Sequence, residues 1–249
     1  MRIIRSDREI RCFVGALALI CVVALGGCAP LSLGHARLKG YSAYQEGNWQ
    51  RARDYFTDCV EGDATDWKAR YYLGRVLLDG YNEPIEARRH LEVADEIRRS
   101  RPDVMLAPRP TPTEAAVPYP TLNQIVEALA EAMLRAGDDD RLVTYLRQTA
   151  NEYGEDIDHY LRLGRYLERL DDHDGARVAY QTAARLSGAG DASAYVVLSD
   201  FYDGIGDRDA ALTALRRGYG VNPGQPGLVD RIRAHGAVPG PTLALPALE

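Results

Sequence analysis

The side chains with a capacity for chemistry are few and scattered. Three acidic clusters stand out: Asp138-Asp139-Asp140, Asp171-Asp172-His173-Asp174, and Asp207 with Asp209. Their oxygens suit a hard cation such as Ca²⁺, but none has the ligand spacing or terminal Glu of a calcium loop. Each falls at the start of an amphipathic stretch, where Asp caps exposed N–H groups and suits the positive end of a helix dipole. His35, His90, His159, His173 and His235 show no metal-ligand spacing. No nucleophile elbow, phosphate-cradling glycine loop or Cys-x-x-Cys occurs. Carboxylates are abundant, yet no two are singled out as the facing pair of a glycosidase. Cys59 takes the place of a small packed residue and reads as buried filling. The expectation is no catalytic residue, no metal, no cofactor and no enzyme.

The N-terminus carries a different chemistry. Met1 to Arg11 holds Arg2, Arg5, Arg8 and Arg11 against Asp7 and Glu9, and Cys12 to Leu25 then runs apolar for 14 residues. A spanning helix needs about 20 residues, so this has the shape of a secretory signal. Small residues follow, and then a cysteine: Leu25-Gly26-Gly27-Cys28. The stretch resembles the lipobox of bacterial lipoproteins, in which the cysteine thiol takes a diacylglyceryl group and the chain is cut just before it. That resemblance implies lipidation of Cys28 and removal of residues 1–27. Several acyl chains make a lasting anchor, each buried methylene contributing about 0.8 kcal/mol. Ala29 follows, where lipoproteins held in the inner membrane often carry Asp. The resemblance therefore implies an outer-membrane anchor facing the periplasm of a Gram-negative-type bacterium, with the inner membrane as the alternative.

Charge narrows the partners. The net charge of −6 provides no basic stripe to neutralise phosphates, which argues against nucleic acid. Cleavage before Cys28 removes four Arg and two acids and leaves the body near −8. Such a body is held to a membrane by lipid rather than by attraction to anionic headgroups.

The elements behind these residues repeat. "YLRLGRYLERLDDHDGARVAYQTAARLSG" from Tyr160 aligns with "YVVLSDFYDGIGDRDAALTALRRGYGVNP" from Tyr195 at a spacing of 35. Leu163/Leu198, Gly164/Ser199, Ala176/Ala211 and Tyr180/Leu215 recur in register. Leu73-Gly74 with Ala87 and Leu91, and Gly40 with Ala52, Phe56 and Cys59, follow the same grammar earlier. Small residues mark close helix crossings, large apolar ones fill the space beside them, and acid-and-glycine turns separate the halves. The unit from Leu122 has helix-pair spacing but lacks the small-residue signature, with Ala130 and Leu142 standing in.

This pattern resembles the tetratricopeptide repeat. The resemblance implies an all-α, right-handed superhelical solenoid of antiparallel helix pairs. The expected layout is signal peptide 1–27, lipidated Cys and tether 28–36, two pairs over 37–100 and a Pro-rich loop or linker 101–121. Three pairs over 122–223, a capping helix within 224–236 and a disordered tail 237–249 complete it. Residues 101–120 hold 6 of the 13 prolines, so no helix should cross them.

Tetratricopeptide geometry would line a concave groove with the first helix of each pair. Carried over residue by residue, it places Tyr41, Tyr44, Tyr71, Arg75, Glu131, Arg165, Arg169 and Asp200 there. Tyr and Arg are hot-spot types, and the three arginines are expected to take an acidic side chain or a C-terminal carboxylate from an extended peptide. The functional expectation is a membrane-anchored adaptor or scaffold that binds another envelope protein, with assembly of an envelope complex as its setting. Two alternatives stand beside it: a cell-wall enzyme or its regulator using the repeats as a binding arm, and a self-associating structural protein that forms homo-oligomers.

Overall fold

The computed structural model describes residues 32–100, 116–188 and 190–248. The signal segment, Cys28, Ala29 and residues 101–115 of the Pro-rich stretch lie outside them. Within the described residues all regular structure is helical, in antiparallel pairs. The pairs are α1 (Leu33–Gln45) with α2 (Trp49–Gly62), α3 (Trp67–Asp79) with α4 (Pro84–Ser100), and α5 (Leu122–Ala136) with α6 (Asp139–Glu152). They continue with α7 (Ile157–Arg169) and α8 (His173–Leu186), then α9 (Ser193–Gly204) and α10 (Arg208–Val221). A short α11 (Leu228–Ala234) closes the series.

Side-chain caps start many of these helices. Asn48, Asp66, Asp172 and Asp207 each accept the N–H three residues ahead, and Thr121 with Gln124 forms a reciprocal capping box. Two of the three acidic clusters therefore satisfy helix ends, as their positions suggested. In the third, Asp138 makes no side-chain cap and pairs instead with Arg88 of α4.

Small residues set the helix crossings. A Cβ added at Gly164 would lie 2.5 Å from the Tyr180 ring, and one at Gly74 would lie 2.6 Å from Leu91 Cγ. Gly40 faces Phe56 in the same way, with the ring 3.0 Å from a would-be Cβ. One core runs through the stack, from Ala36 and Phe56 through Leu91, Leu129 and Leu146 to Tyr166, Phe201 and Leu198. Ala130 and Leu142, the stand-ins of the middle pair, are fully buried.

The two pairs before the Pro-rich segment and the three after it form one continuous stack. Helix α5 packs directly on α4, and Arg135 Nη1 donates to the Leu78 carbonyl at 3.1 Å. The end of the segment is tied down as well. Lys68 Nζ donates to the Val117 carbonyl and Tyr72 to the Pro118 carbonyl, both at 3.0 Å. The Lys68 ammonium also sits 3.4 Å from the centre of the Tyr119 ring.

Two boundaries differ from the sequence expectation. Helix α1 begins at Leu33, inside the expected tether, because the Leu33 side chain fills the space over Gly62 at the far end of α2. The expected disordered tail is placed along the last pair: Leu243 packs on Leu215, Leu228 and Ile232, and Leu248 joins the main core. Its polar backbone finds partners on α9 and α10. None of the described helices is long and apolar enough to cross a membrane.

Candidate functional site

The first helices of the pairs lie side by side, and the eight expected groove residues fall on them in three groups. Tyr41, Tyr44, Tyr71 and Arg75 come together at the α1–α3 end. Tyr72, absent from the sequence expectation, is the centre of this group. Its ring meets Tyr41 edge-on at 5.2 Å, Tyr44 at 5.7 Å and Tyr71 at 5.1 Å, and stacks on Phe56 at 5.5 Å. Trp49 abuts Tyr44 at 5.8 Å. Tyr71 and Tyr72 are buried, whereas Tyr41 and Tyr44 stay half-buried and keep a face toward solvent. Burial pushes the Tyr44 and Tyr71 phenols above their ordinary range, against a smaller opposing pull from Arg75. These rings are neutral hydrogen-bonding platforms at physiological pH.

Glu131, Arg165 and Arg169 make the second group, on α5 and α7. Arg165 Nη2 donates to both Glu127 oxygens at 2.8 and 2.6 Å, and Arg169 Nη1 donates to Glu131 Oε2 at 2.7 Å. Arg135 holds the other Glu131 oxygen at 2.8 Å. Desolvation would raise the Glu131 carboxyl, but the Arg169 and Arg135 hydrogen bonds outweigh it and hold it below the ordinary carboxylate range. Beneath them, the buried Tyr166 hydroxyl donates to Glu127 Oε1 at 3.1 Å. Asp200 stands apart from both groups, joined to Arg231 of α11 by two hydrogen bonds of 2.8 and 2.9 Å.

The expected arginines therefore do not present free guanidinium groups. Arg75 donates to Asp79 at 2.9 Å on its own helix, and Arg165 and Arg169 are met by acids of the preceding first helix. The reason is periodic. Glu127 and Arg162 are 35 positions apart, and Glu127–Arg165 and Glu131–Arg169 are 38 apart, so side chains one repeat apart share a helix-to-helix seam. Asp79, Glu127, Arg135 and Arg162 belong to this face and were missed. Searching for opposite charges one repeat length apart would have found the seam.

The opposite side holds a feature with no marked sequence signal, a cleft of about 780 Å³ between α4 and α6. Asp95, Arg99, Met133 and Tyr145 line it. Its buried carboxylate, Asp95, accepts from Arg99 Nε at 2.8 Å and from the Tyr145 hydroxyl at 3.2 Å. Among the described residues, no three His, Cys, Asp or Glu side chains converge as a metal site.

Comparison with known proteins agrees with this architecture. Residues 192–225, spanning α9 and α10, match the tetratricopeptide repeat family model. No curated protein matches the chain by sequence. A crystal structure of MamA superposes with a TM-score of 0.50 at 18% identity, over 72% of this chain and 91% of that one. A second MamA crystal structure gives 0.52 at 16% identity, over 83% and 96%. MamA from residue 41 to its end, from Desulfovibrio magneticus RS-1, gives 0.52 at 14%, over 80% and 100%. At such identities the likeness is one of fold. The described residues form an all-α solenoid of the tetratricopeptide type.

Proposed function

We propose that this protein is a lipid-anchored adaptor that holds another envelope protein against its first-helix face. The observation that carries the binding half is the α1–α3 aromatic group. Tyr41 and Tyr44 expose ring faces on a floor made rigid by Tyr71, Tyr72 and Phe56. Rigid, half-exposed tyrosines combine apolar area with directed hydrogen bonds and lose little entropy on binding, which is what a peptide anchor needs. The charged seam on α5 and α7 is internally neutralised. It therefore shapes the groove more than it attracts a charged ligand. Arg75, Arg165 and Arg169 contribute only where a partner carboxylate displaces an existing acid.

The anchoring half rests on Leu25-Gly26-Gly27-Cys28 behind its basic and apolar segments. Acylation at Cys28 supplies enough buried methylene for stable attachment. The outer membrane, with the solenoid in the periplasm, is the location favoured by Ala29.

The test uses the full chain expressed in a bacterium. Metabolic labelling with an alkyne-bearing fatty acid should mark the native chain and be lost in Cys28→Ser; equal labelling of both overturns the anchor. Crosslinked partners should be captured by the native chain and lost from Tyr41→Ala/Tyr44→Ala; capture indifferent to that change overturns the face.

A further inference from the structure

We propose that the last repeat carries a second peptide site, separate from the first-helix face, and that the chain's own residues 243–248 occupy it in cis. The site takes an extended segment with leucines on one side. Leu243, Leu245 and Leu248 are half-buried, while Ala244, Pro246 and Ala247 between them are exposed.

The receptor reads backbone. The Leu245 N–H donates to the Arg216 carbonyl at 3.1 Å, and the Leu248 N–H donates to the Tyr195 hydroxyl at 2.9 Å. Tyr195 is 1% exposed, so its hydroxyl is a buried acceptor aimed at the segment. In the other direction, Arg216 Nε donates to the Leu243 carbonyl at 3.0 Å, and Arg217 Nη1 donates to the Pro246 and Ala247 carbonyls at 3.1 and 3.4 Å. Gly220 makes room: a Cβ there would overlap the Leu245 carbonyl oxygen. A helix glycine normally weakens a helix relative to alanine, and this one is placed where the backbone of an extended strand approaches most closely. Pro246 keeps the segment from becoming helical.

Main-chain contacts of this kind accept any extended segment whose leucines fall in the same register. The covalent link gives the tail a high local concentration, so a free peptide competes only when the tail is displaced. A partner segment of the same chemistry, leucines on one face and a proline between them, would then use the vacated site.

The experiment uses the full chain and a fluorescent peptide with the sequence of residues 241–249. In the native protein, hydrogen exchange should show the Leu245 and Leu248 amides protected, and the peptide should bind weakly. Leu243→Asp/Leu248→Asp should free the tail and bind the peptide at least tenfold more tightly. Adding Gly220→Ala to that variant should abolish binding while leaving helix content intact, because alanine favours the helix. If the freed variant fails to bind, the tail is a fixed cap and the proposal falls. Equal binding by native and freed chains removes the cis occupancy, and binding that survives Gly220→Ala removes the site.

Discussion

Glu127 and Arg162 are 35 residues apart in the chain, and the Arg162 Nε donates to the Glu127 carboxylate at 2.9 Å. The Arg162 side chain is 8% exposed and the Glu127 side chain 43%. The same Arg162 also donates to Asn123 Oδ1 at 3.0 Å. One repeat is thereby clamped to the next through a nearly buried cation. The adjoining Arg165 bridge lies outside it in water and contributes less.

Glu127→Ala should therefore cost about 1–3 kcal/mol, mainly by leaving the buried Arg162 short of its charged partner. Arg165→Ala at the exposed end should cost under about 1 kcal/mol. Urea denaturation of the two variants and a double-mutant cycle with Arg162→Met would separate the terms. Equal losses for the two single variants would contradict the burial argument.

Glycine substitutions should follow the space available. Gly164→Ala drives a methyl into the Tyr180 ring and should destabilise by about 1–3 kcal/mol. Gly40→Ala meets Phe56 less closely and should cost less. Gly34 has nothing within 4 Å of a would-be Cβ, so Gly34→Ala should be neutral or stabilise by up to about 1 kcal/mol. Thermal melting of the three variants should rank them in that order.

Acid should weaken the fold through two histidines. Burial first, and then the neighbouring Arg162, push the His159 pKa below its usual 6.5; burial and Arg70 do the same to His90. The Arg162 Nη1 lies 3.1 Å from His159 Nδ1, which makes that nitrogen the acceptor of a neutral ring. A depressed folded pKa means that the unfolded chain binds the proton first. The histidine contribution is complete above pH 6.5 and is lost as pH falls below it toward the folded value. Melting temperature should drop from pH 7 to pH 5, and the slope should flatten in His159→Asn. An unchanged slope would remove His159 from the account.

Cys59 should be inert in the native protein. It is fully buried, and desolvation, with Asp66 adding to it, pushes its thiol up to about 12. Mass mapping after iodoacetamide treatment at pH 8 should find the Cys59 peptide unmodified until denaturant is added. Rapid native alkylation would show that α1 opens from α2 readily.

The period of the solenoid was legible because a helix pair repeats its packing needs at fixed spacing. Gly74, Gly164, Ala87 and Ala176 announce close crossings wherever they occur, and Asp172 and Asp207 announce helix starts. The middle pair was legible only through Ala130 and Leu142, since apolar packing tolerates more than one residue at a crossing. Tyr72 was missed because an aromatic on a helix looks the same whether it caps a groove or forms its floor. The charge pairing of the groove was missed for a related reason: Arg165 has Glu168 three positions on, but Glu168 accepts from Tyr180 and Arg165 donates to Glu127, a whole repeat away.

Local and periodic properties were therefore decided by sequence alone: helix pairs, turns and caps. They depend on neighbours within a few positions or on a spacing that can be counted. The tertiary structure decided which charges neutralise each other, where Val117, Pro118 and Tyr119 are tied, and how the C-terminal residues lie against Tyr195 and Gly220. Those outcomes depend on which surfaces meet after stacking, and a side chain's partner across such a contact carries no mark in its own stretch of chain.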